Sequence, residues 1–370
     1  MPSPPMDEPL IPLFSDRQTT RLSFTGDGAE YFRIWIVNLA LTIVTLGVYS
    51  PWAKVRRMQY FARHTRLADA SFDYHGDPIA ILKGRLVALV LVVAYTVSGA
   101  FGPFVTLGVF GAILAIMPWL ITRSLQFRLR NTSYRGLRFG FAGRARTAYG
   151  VFLGFGLLTL ATIGLAAPLW YQRIKRFQFS NARFGRSVFS MSASVADVYR
   201  AFIGVALAGV LGGFLLVTAV YLVSGVGAAL GLAPEDGAEP PVVAVVAVMF
   251  LSAVLFLLYI LILFGLQSLL TVRLRNVVWN HTALGEHRFA SSLEVGTLLW
   301  VDLTNLALTV MSLGLFRPFA EGRRARAIID ATSIESPGAL SLDEFEAVEG
   351  ETPGALGDEA AGMFDLDIAF

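Results

Sequence analysis

Two runs of polar residues inside otherwise apolar sequence are the first candidates for chemistry. Asp302, Asn305, Thr309 and Ser312 recur every three or four residues, as do Asn38, Thr42 and Thr45, and a third run is reduced to Thr159 and Thr162. That spacing puts each set on one face of a helix. Between apolar helices such stripes act as hydrogen-bonding glue. Asp302 stands apart, because an ionisable group inside an apolar segment is costly and commonly functional. Asp302, Asn305 and Asn38 are therefore the candidate intramembrane polar site, with proton or solute coupling as the chemistry to test.

Other chemistries find less support. The four histidines, His64, His75, His281 and His287, are not at metal-ligand spacing. Zero cysteines exclude disulfides and thiolate sites. No phosphate-binding loop, dinucleotide fingerprint, nucleophile elbow or zincin motif occurs. The expectation is a protein that is not an enzyme, with no catalytic residues, metal or cofactor.

The elements that carry these residues follow from composition. Of 370 residues 55% are hydrophobic and only 15% charged, with mean hydropathy +0.61. That excludes a soluble globular domain and a disordered chain. Seven apolar segments run at about 34–49, 79–99, 103–122, 148–170, 201–230, 241–270 and 295–316. Short Gly/Pro links join the second to the third and the fifth to the sixth, implying two helical hairpins.

The first, fourth and seventh segments end in one pattern: Thr42-x-x-Thr45-Leu-Gly47 leading to Pro51, Thr159-x-x-Thr162-Ile-Gly164 leading to Pro168, and Thr309-x-x-Ser312-Leu-Gly314 leading to Pro318. The reading is a helix that stops at Gly, turns, and restarts with Pro at its first position. Each restart opens a basic amphipathic helix, expected to lie along the membrane surface. A second pattern recurs between segments: His64-x-x-Leu67 leads to Phe72, Asn131-x-x-Tyr134 to Phe139, Asn181-x-x-Phe184 to Phe189, and His281-x-x-Leu284 to Phe289. It predicts a turn and short strand, with His or Asn capping a turn. A fifth strand-like stretch, Arg21–Gly26, precedes the first segment.

Charge supplies the topology. The net +3 conceals a body of +13 and a tail, residues 331–370, of −10. If all seven segments cross, the 30 basic residues divide between the two faces with little bias. If the first, fourth and seventh start and end on one side, every basic residue shares that side, as do all the strands. The one-sided arrangement is the expectation, with the tail cytoplasmic. Arg56, Arg57, Arg128, Arg130, Arg273, Arg275, Arg323 and Arg324 adjoin membrane segments and are expected to contact anionic lipid headgroups. The same placement argues against nucleic acid as a partner.

Two blocks carry a family resemblance. Phe24–Met58 contains F-x-G and N-x-x-L-T-x-x-T-L-G-x-x-x-P-W-A; Asn280–Ile328 contains N-H-T-x-L-G-x-H-R-F and T-N-x-x-x-T-x-x-x-L-G-L. They resemble the YjgN-type family of bacterial multi-pass inner-membrane proteins, which has no assigned biochemical function. The resemblance covers most of residues 20–330 and implies the bacterial inner membrane; it brings no catalytic residues.

The expected architecture is an all-α polytopic membrane protein with short β-strands in its connecting loops. Residues 1–20 are read as a disordered N-terminus, 21–330 as the membrane domain and 331–370 as a disordered acidic tail. Membrane transport or lipid handling is the function this pattern fits. The alternative is a non-enzymatic scaffold that recruits a protein partner through its cytoplasmic face and acidic tail.

Overall fold

The structure is a computed structural model that describes residues 17–229 and 241–338. The link between the fifth and sixth apolar segments lies mostly outside the described residues, and so does most of the acidic tail. Among the described residues four helices have the length and composition to cross a membrane: α3 (Pro78–Ser98, prolonged by a 3-10 turn to Phe101), α4 (Pro103–Arg130), α8 (Val195–Ala229) and α9 (Val242–Asn280). The most apolar 18-residue stretch of each has a mean hydropathy between 2.0 and 3.0. They pack as two pairs, α3 on α4 and α8 on α9.

The other three apolar segments make a different object. Helix α1 (Gly28–Val44) turns into α2 (Ser50–His64), and α10 (Val295–Met311) turns into α11 (Arg317–Asp330). Between them in sequence, α5 (Ala145–Tyr149), a π-helical turn at Gly150–Gly154 and α6 (Phe155–Ala161) lead to α7 (Ala167–Ser180). At 17 residues, α1 and α10 each reach about 25 Å, short of a hydrocarbon core of about 30 Å. The arms of the first hairpin run side by side: near the end of the return arm, Tyr60 Oη donates to Asp27 O at the start of the outgoing one, 2.6 Å away.

All three turns have one geometry. Gly47 N–H bonds to Thr42 O, Gly164 N–H to Thr159 O and Gly314 N–H to Thr309 O, at 2.7, 2.8 and 2.8 Å. The residue before each glycine bonds back three positions, Leu46 to Ile43, Ile163 to Leu160 and Leu313 to Val310. These two bonds define a Schellman cap. The glycines have φ of 91°, 86° and 93°, as the sequence anticipates. The preceding Leu46, Ile163 and Leu313 are also left-handed, at φ 50°, 52° and 50°, which costs a side-chain-bearing residue roughly 1–2 kcal/mol. Pro51, Pro168 and Pro318 then sit in the first turn of α2, α7 and α11.

The strands correct the expected fold class. They are not isolated loop decorations on an all-α protein but a closed ten-strand antiparallel barrel. Four hairpins supply eight strands: β2 (Thr65–Leu67) with β3 (Ala70–Tyr74), β4 (Thr132–Tyr134) with β5 (Leu137–Phe141), β6 (Ala182–Phe184) with β7 (Ser187–Met191), and β8 (Thr282–Leu284) with β9 (His287–Ser291). The fifth pair joins β1 (Gln18–Phe24) to β10 (Thr332–Ser336), with Gln18 opposite Ser336 and Arg21 opposite Ser333. Gln18–Thr20 and Thr332–Ser336 therefore belong to the barrel rather than to disordered termini, and residues 1–16 and 339–370 lie outside the described part. Two-residue turns close the hairpins, with positive φ at Ala68, Arg135, Gly136, Gly185 and Gly285, matching the right-handed twist of the flanking strands.

One inward residue per strand forms a ring of five registered pairs: Leu22 with Leu67, Phe72 with Tyr134, Phe139 with Phe184, Phe189 with Leu284, and Phe289 with Ile334. All ten are buried in one cluster. Phe139 has ring neighbours Phe184, Phe72 and Phe189 at 4.7, 6.3 and 6.3 Å. The barrel interior is thus a packed core, and a packed core cannot serve as a pore. The recurrent His or Asn caps the helix before each hairpin as expected: His64, Asn131, Asn181 and His281 donate to the carbonyl four residues earlier, at 2.7–2.8 Å.

Candidate functional site

Barrel closure decides where the polar residues meet. Because β1 pairs with β2 and β9 with β10, the hairpins α1–α2 and α10–α11 both leave the barrel and return to it. Their return arms come together at its base, next to α7 and the end of α9.

Asp302, in α10, is buried there. Its Oδ2 accepts from Ser268 Oγ of α9 at 3.0 Å, and its Oδ1 lies 3.3 Å from Arg324 Nη1 of α11. Asn305, one turn along, donates from Nδ2 to Ala320 O at 3.1 Å and accepts from Arg323 Nη1 at 2.8 Å. Arg323 also donates to Thr304 Oγ1. The structure thus brings Asp302, Asn305, Arg323 and Arg324 into one network that clamps α10 to α11. Asn38 is not part of it. It is buried on α1 and lines a separate cleft, where its Oδ1 has no hydrogen-bond partner.

The remaining arginines divide. Arg57 is 3.3 Å from Glu321, and Arg275 Nη2 donates to Thr332 Oγ1 at 3.0 Å while its guanidinium covers the Trp279 ring. Arg56 lies over Tyr49, exposed, and Arg273 is exposed on α9. Arg128 and Arg130 are half-buried at the end of α4. Arg57, Arg275 and Arg324 line one cavity, whereas Arg56, Arg128, Arg130, Arg273 and Arg323 do not.

That cavity, about 690 Å³, lies between α2, α7, α9 and α11. Its lining mixes apolar side chains, Phe61, Leu270, Leu274, Val278, Trp279, Ile328 and Ile329, with the cations Arg57, Lys175, Arg275 and Arg324. Glu321 is the one carboxylate among the described lining residues. Lys175 is buried, stacked over Tyr171 at 5.6 Å. A second cleft of about 430 Å³, lined by Asn38, shares Arg57 and Glu321 with the first. Glu321 is held by Tyr31 Oη at 2.9 Å, Arg57 at 3.3 Å and Arg317 at 3.4 Å.

Sequence reasoning missed Glu321, Lys175, Lys54 and Arg85. Glu321 did leave a signal, as the lone acid in the last basic run, at the position filled by Lys54 and Tyr171 in the other two repeats. Arg85 left none, because an arginine two turns into an apolar helix reads as an interfacial charge.

Four membrane-length helices, a packed barrel of loop strands and basic helical hairpins define a multi-pass membrane protein with an amphipathic cavity at the barrel base. The chain belongs to the family described as "Bacterial protein of unknown function (DUF898)", whose model matches residues 19–363. It is similar to inner membrane protein YjgN of Salmonella typhimurium (strain LT2), with 26% identity over 91% of this chain and 93% of that protein. Inner membrane protein YjgN of Escherichia coli (strain K12) is also 26% identical, over 52% of this chain and 46% of its own length. No solved structure matches the chain.

Proposed function

We propose that the protein handles lipid: it takes an anionic amphiphile from the membrane into the cavity at the barrel base. The observation that carries this is the cavity's mixed lining of apolar side chains and cations. Four cations face one carboxylate, which leaves an excess of positive charge for a phosphate or carboxylate head. The apolar lining residues offer a surface on which acyl chains displace water. Because the barrel interior is filled, a path through it is not part of the proposal. The test is binding of an anionic phospholipid against a zwitterionic one, to the full chain in nanodiscs. Native protein should prefer the anionic lipid, and Lys175→Gln with Arg275→Gln should abolish that preference. Equal binding of the two lipids to native protein would overturn the reading.

The hairpin tips support a sidedness for the protein. Leu46, Ile163 and Leu313 are 93, 94 and 94% exposed at the hairpin tips. Large apolar side chains in a strained conformation would be doubly unfavourable in water, so we infer that the tips dip into lipid. The barrel, with its arginines, then faces the cytoplasm, and the chain that follows β10 starts from that side. In the cysteine-free chain, Ser190→Cys on β7 should resist a membrane-impermeant thiol reagent in intact cells and react after lysis. Labelling of intact cells would reverse the orientation.

A further inference from the structure

The cleft lined by Asn38 goes beyond the cavity reading, although the two share Arg57 and Glu321. Asn38 and Asn305 occupy the same position in the first and third repeats, nine residues before Gly47 and Gly314. Asn305 Oδ1 accepts a hydrogen bond from Arg323. The equivalent arginine in the first repeat, Arg56, lies 5.8 Å from the Tyr49 ring centroid instead. Asn38 Oδ1 is left buried without a partner, and Asn38 as a whole is only 7% exposed. A buried acceptor left unmade is unfavourable, so a repeat that fills this position in one copy and empties it in another leaves room for a donor from outside. Around it stand Lys54, Arg57, Arg85 and Arg317, with Glu321 as the only carboxylate among the described residues that line the cleft.

We propose that this cleft is a headgroup site for a phosphate ester that carries a hydroxyl. The cations take the phosphate, and Asn38 Oδ1 accepts a hydrogen bond from the hydroxyl. An ammonium could also donate to Asn38, but four cations against one carboxylate disfavour it. The ligand is therefore an anionic glycerol-type headgroup, on a membrane lipid or free in solution.

The experiment titrates the full chain in phosphatidylcholine nanodiscs with three probes: dihexanoyl phosphatidylglycerol, dihexanoyl phosphatidylethanol, which has the same charge without the hydroxyl, and glycerol phosphate. Native protein should bind the phosphatidylglycerol about tenfold more tightly than the phosphatidylethanol. Asn38→Leu should erase that ratio while phosphatidylethanol binding persists, and Asn38→Ala should do the same if the leucine variant folds poorly. Lys54→Gln with Arg85→Gln should weaken both lipids. Glycerol phosphate binding as tightly as the lipid, with the same Asn38 dependence, supports the site and assigns its source to solution. In a Lys175→Gln, Arg275→Gln background the Asn38-dependent preference for phosphatidylglycerol should persist, which separates failure of this site from failure of the cavity at the barrel base. A native ratio near one, or a ratio that survives both Asn38 variants, overturns the proposal.

Discussion

Arg57 Nε lies 3.3 Å from Glu321 Oε2, so a guanidinium on the return arm of the first hairpin is tied to a carboxylate on the return arm of the third. Both residues line both cavities. The pair is at once a strut between repeats and the wall that separates two basic spaces.

Glu321→Gln should therefore act in two directions. Losing the carboxylate removes the partner of Arg57, Arg317 and Tyr31, with an expected cost of about 1–2 kcal/mol for a pair that is exposed on the arginine side. The same change frees positive charge in both cavities, so affinity for an anionic phospholipid should rise severalfold. Thermal melting and lipid titration of one preparation check both halves. Weaker lipid binding would mean that Glu321 positions the cations rather than neutralising them.

Asp302 and Arg324 should be energetically coupled. The Asp302 side chain is 6% exposed and that of Arg324 39%, so the carboxylate has more to lose. Asp302→Ala should destabilise by about 2–3 kcal/mol, because Ser268 and Arg324 both lose a partner. Arg324→Gln should cost less. A double-mutant cycle read by thermal melting should give a favourable coupling energy of about 1 kcal/mol; additivity would show that the contact carries no weight.

How much of this was legible depends on the range of the interactions. The Schellman turns are local: Thr42 and Gly47 are five residues apart and bonded to each other, so their motif was readable three times over. The capping role of His64, Asn131, Asn181 and His281 was likewise written within five residues. Barrel closure was not, because Gln18 and Ser336 must pair across nearly the whole chain and neither lies in a recognisable hairpin. Strands of three residues, such as Thr65–Leu67, carry too little alternation to announce a sheet. The two cavities were illegible for the same reason. Arg57 and Glu321 meet only once the five strand pairs have closed into the barrel, and the unpartnered state of Asn38 depends on which way Arg56 turns.

Closure by distant strands makes a sharp prediction about length. Ending the chain after Asp330 removes β10 and exposes the edges of β1 and β9 together with the Phe289 side of the Phe289–Ile334 pair. Such a protein should lose cooperative thermal unfolding in detergent. Ending it after Gly338 should leave the melting curve close to native, since the barrel is complete by Ser336.

Acid should loosen the barrel surface at one identified contact. Burial would push the Asp73 carboxyl up, but hydrogen bonds from Arg63, at 2.9 Å, and the Tyr74 N–H prevail and hold it below the usual carboxylate range. A depressed folded-state value means stability that is present above the unfolded value, about 4, and lost as pH falls through the folded one. Melting temperature should therefore fall below about pH 4, and Asp73→Asn should flatten part of that fall. An unchanged acid limb in the variant would assign the loss to other carboxylates.

The pairing of Gln18 with Ser336 has a consequence for how such a chain could be ordered. Its five strand pairs form a cycle, and four of them are joined by two-residue turns while the fifth is left open. Nothing in the ring of inward side chains marks that opening as special. Moving the gene's start and stop codons to Arg135–Gly136, and bridging the old ends, would preserve every strand pairing. In the strand order the β1–β10 pair is thus equivalent to the four hairpins, lacking only their turn.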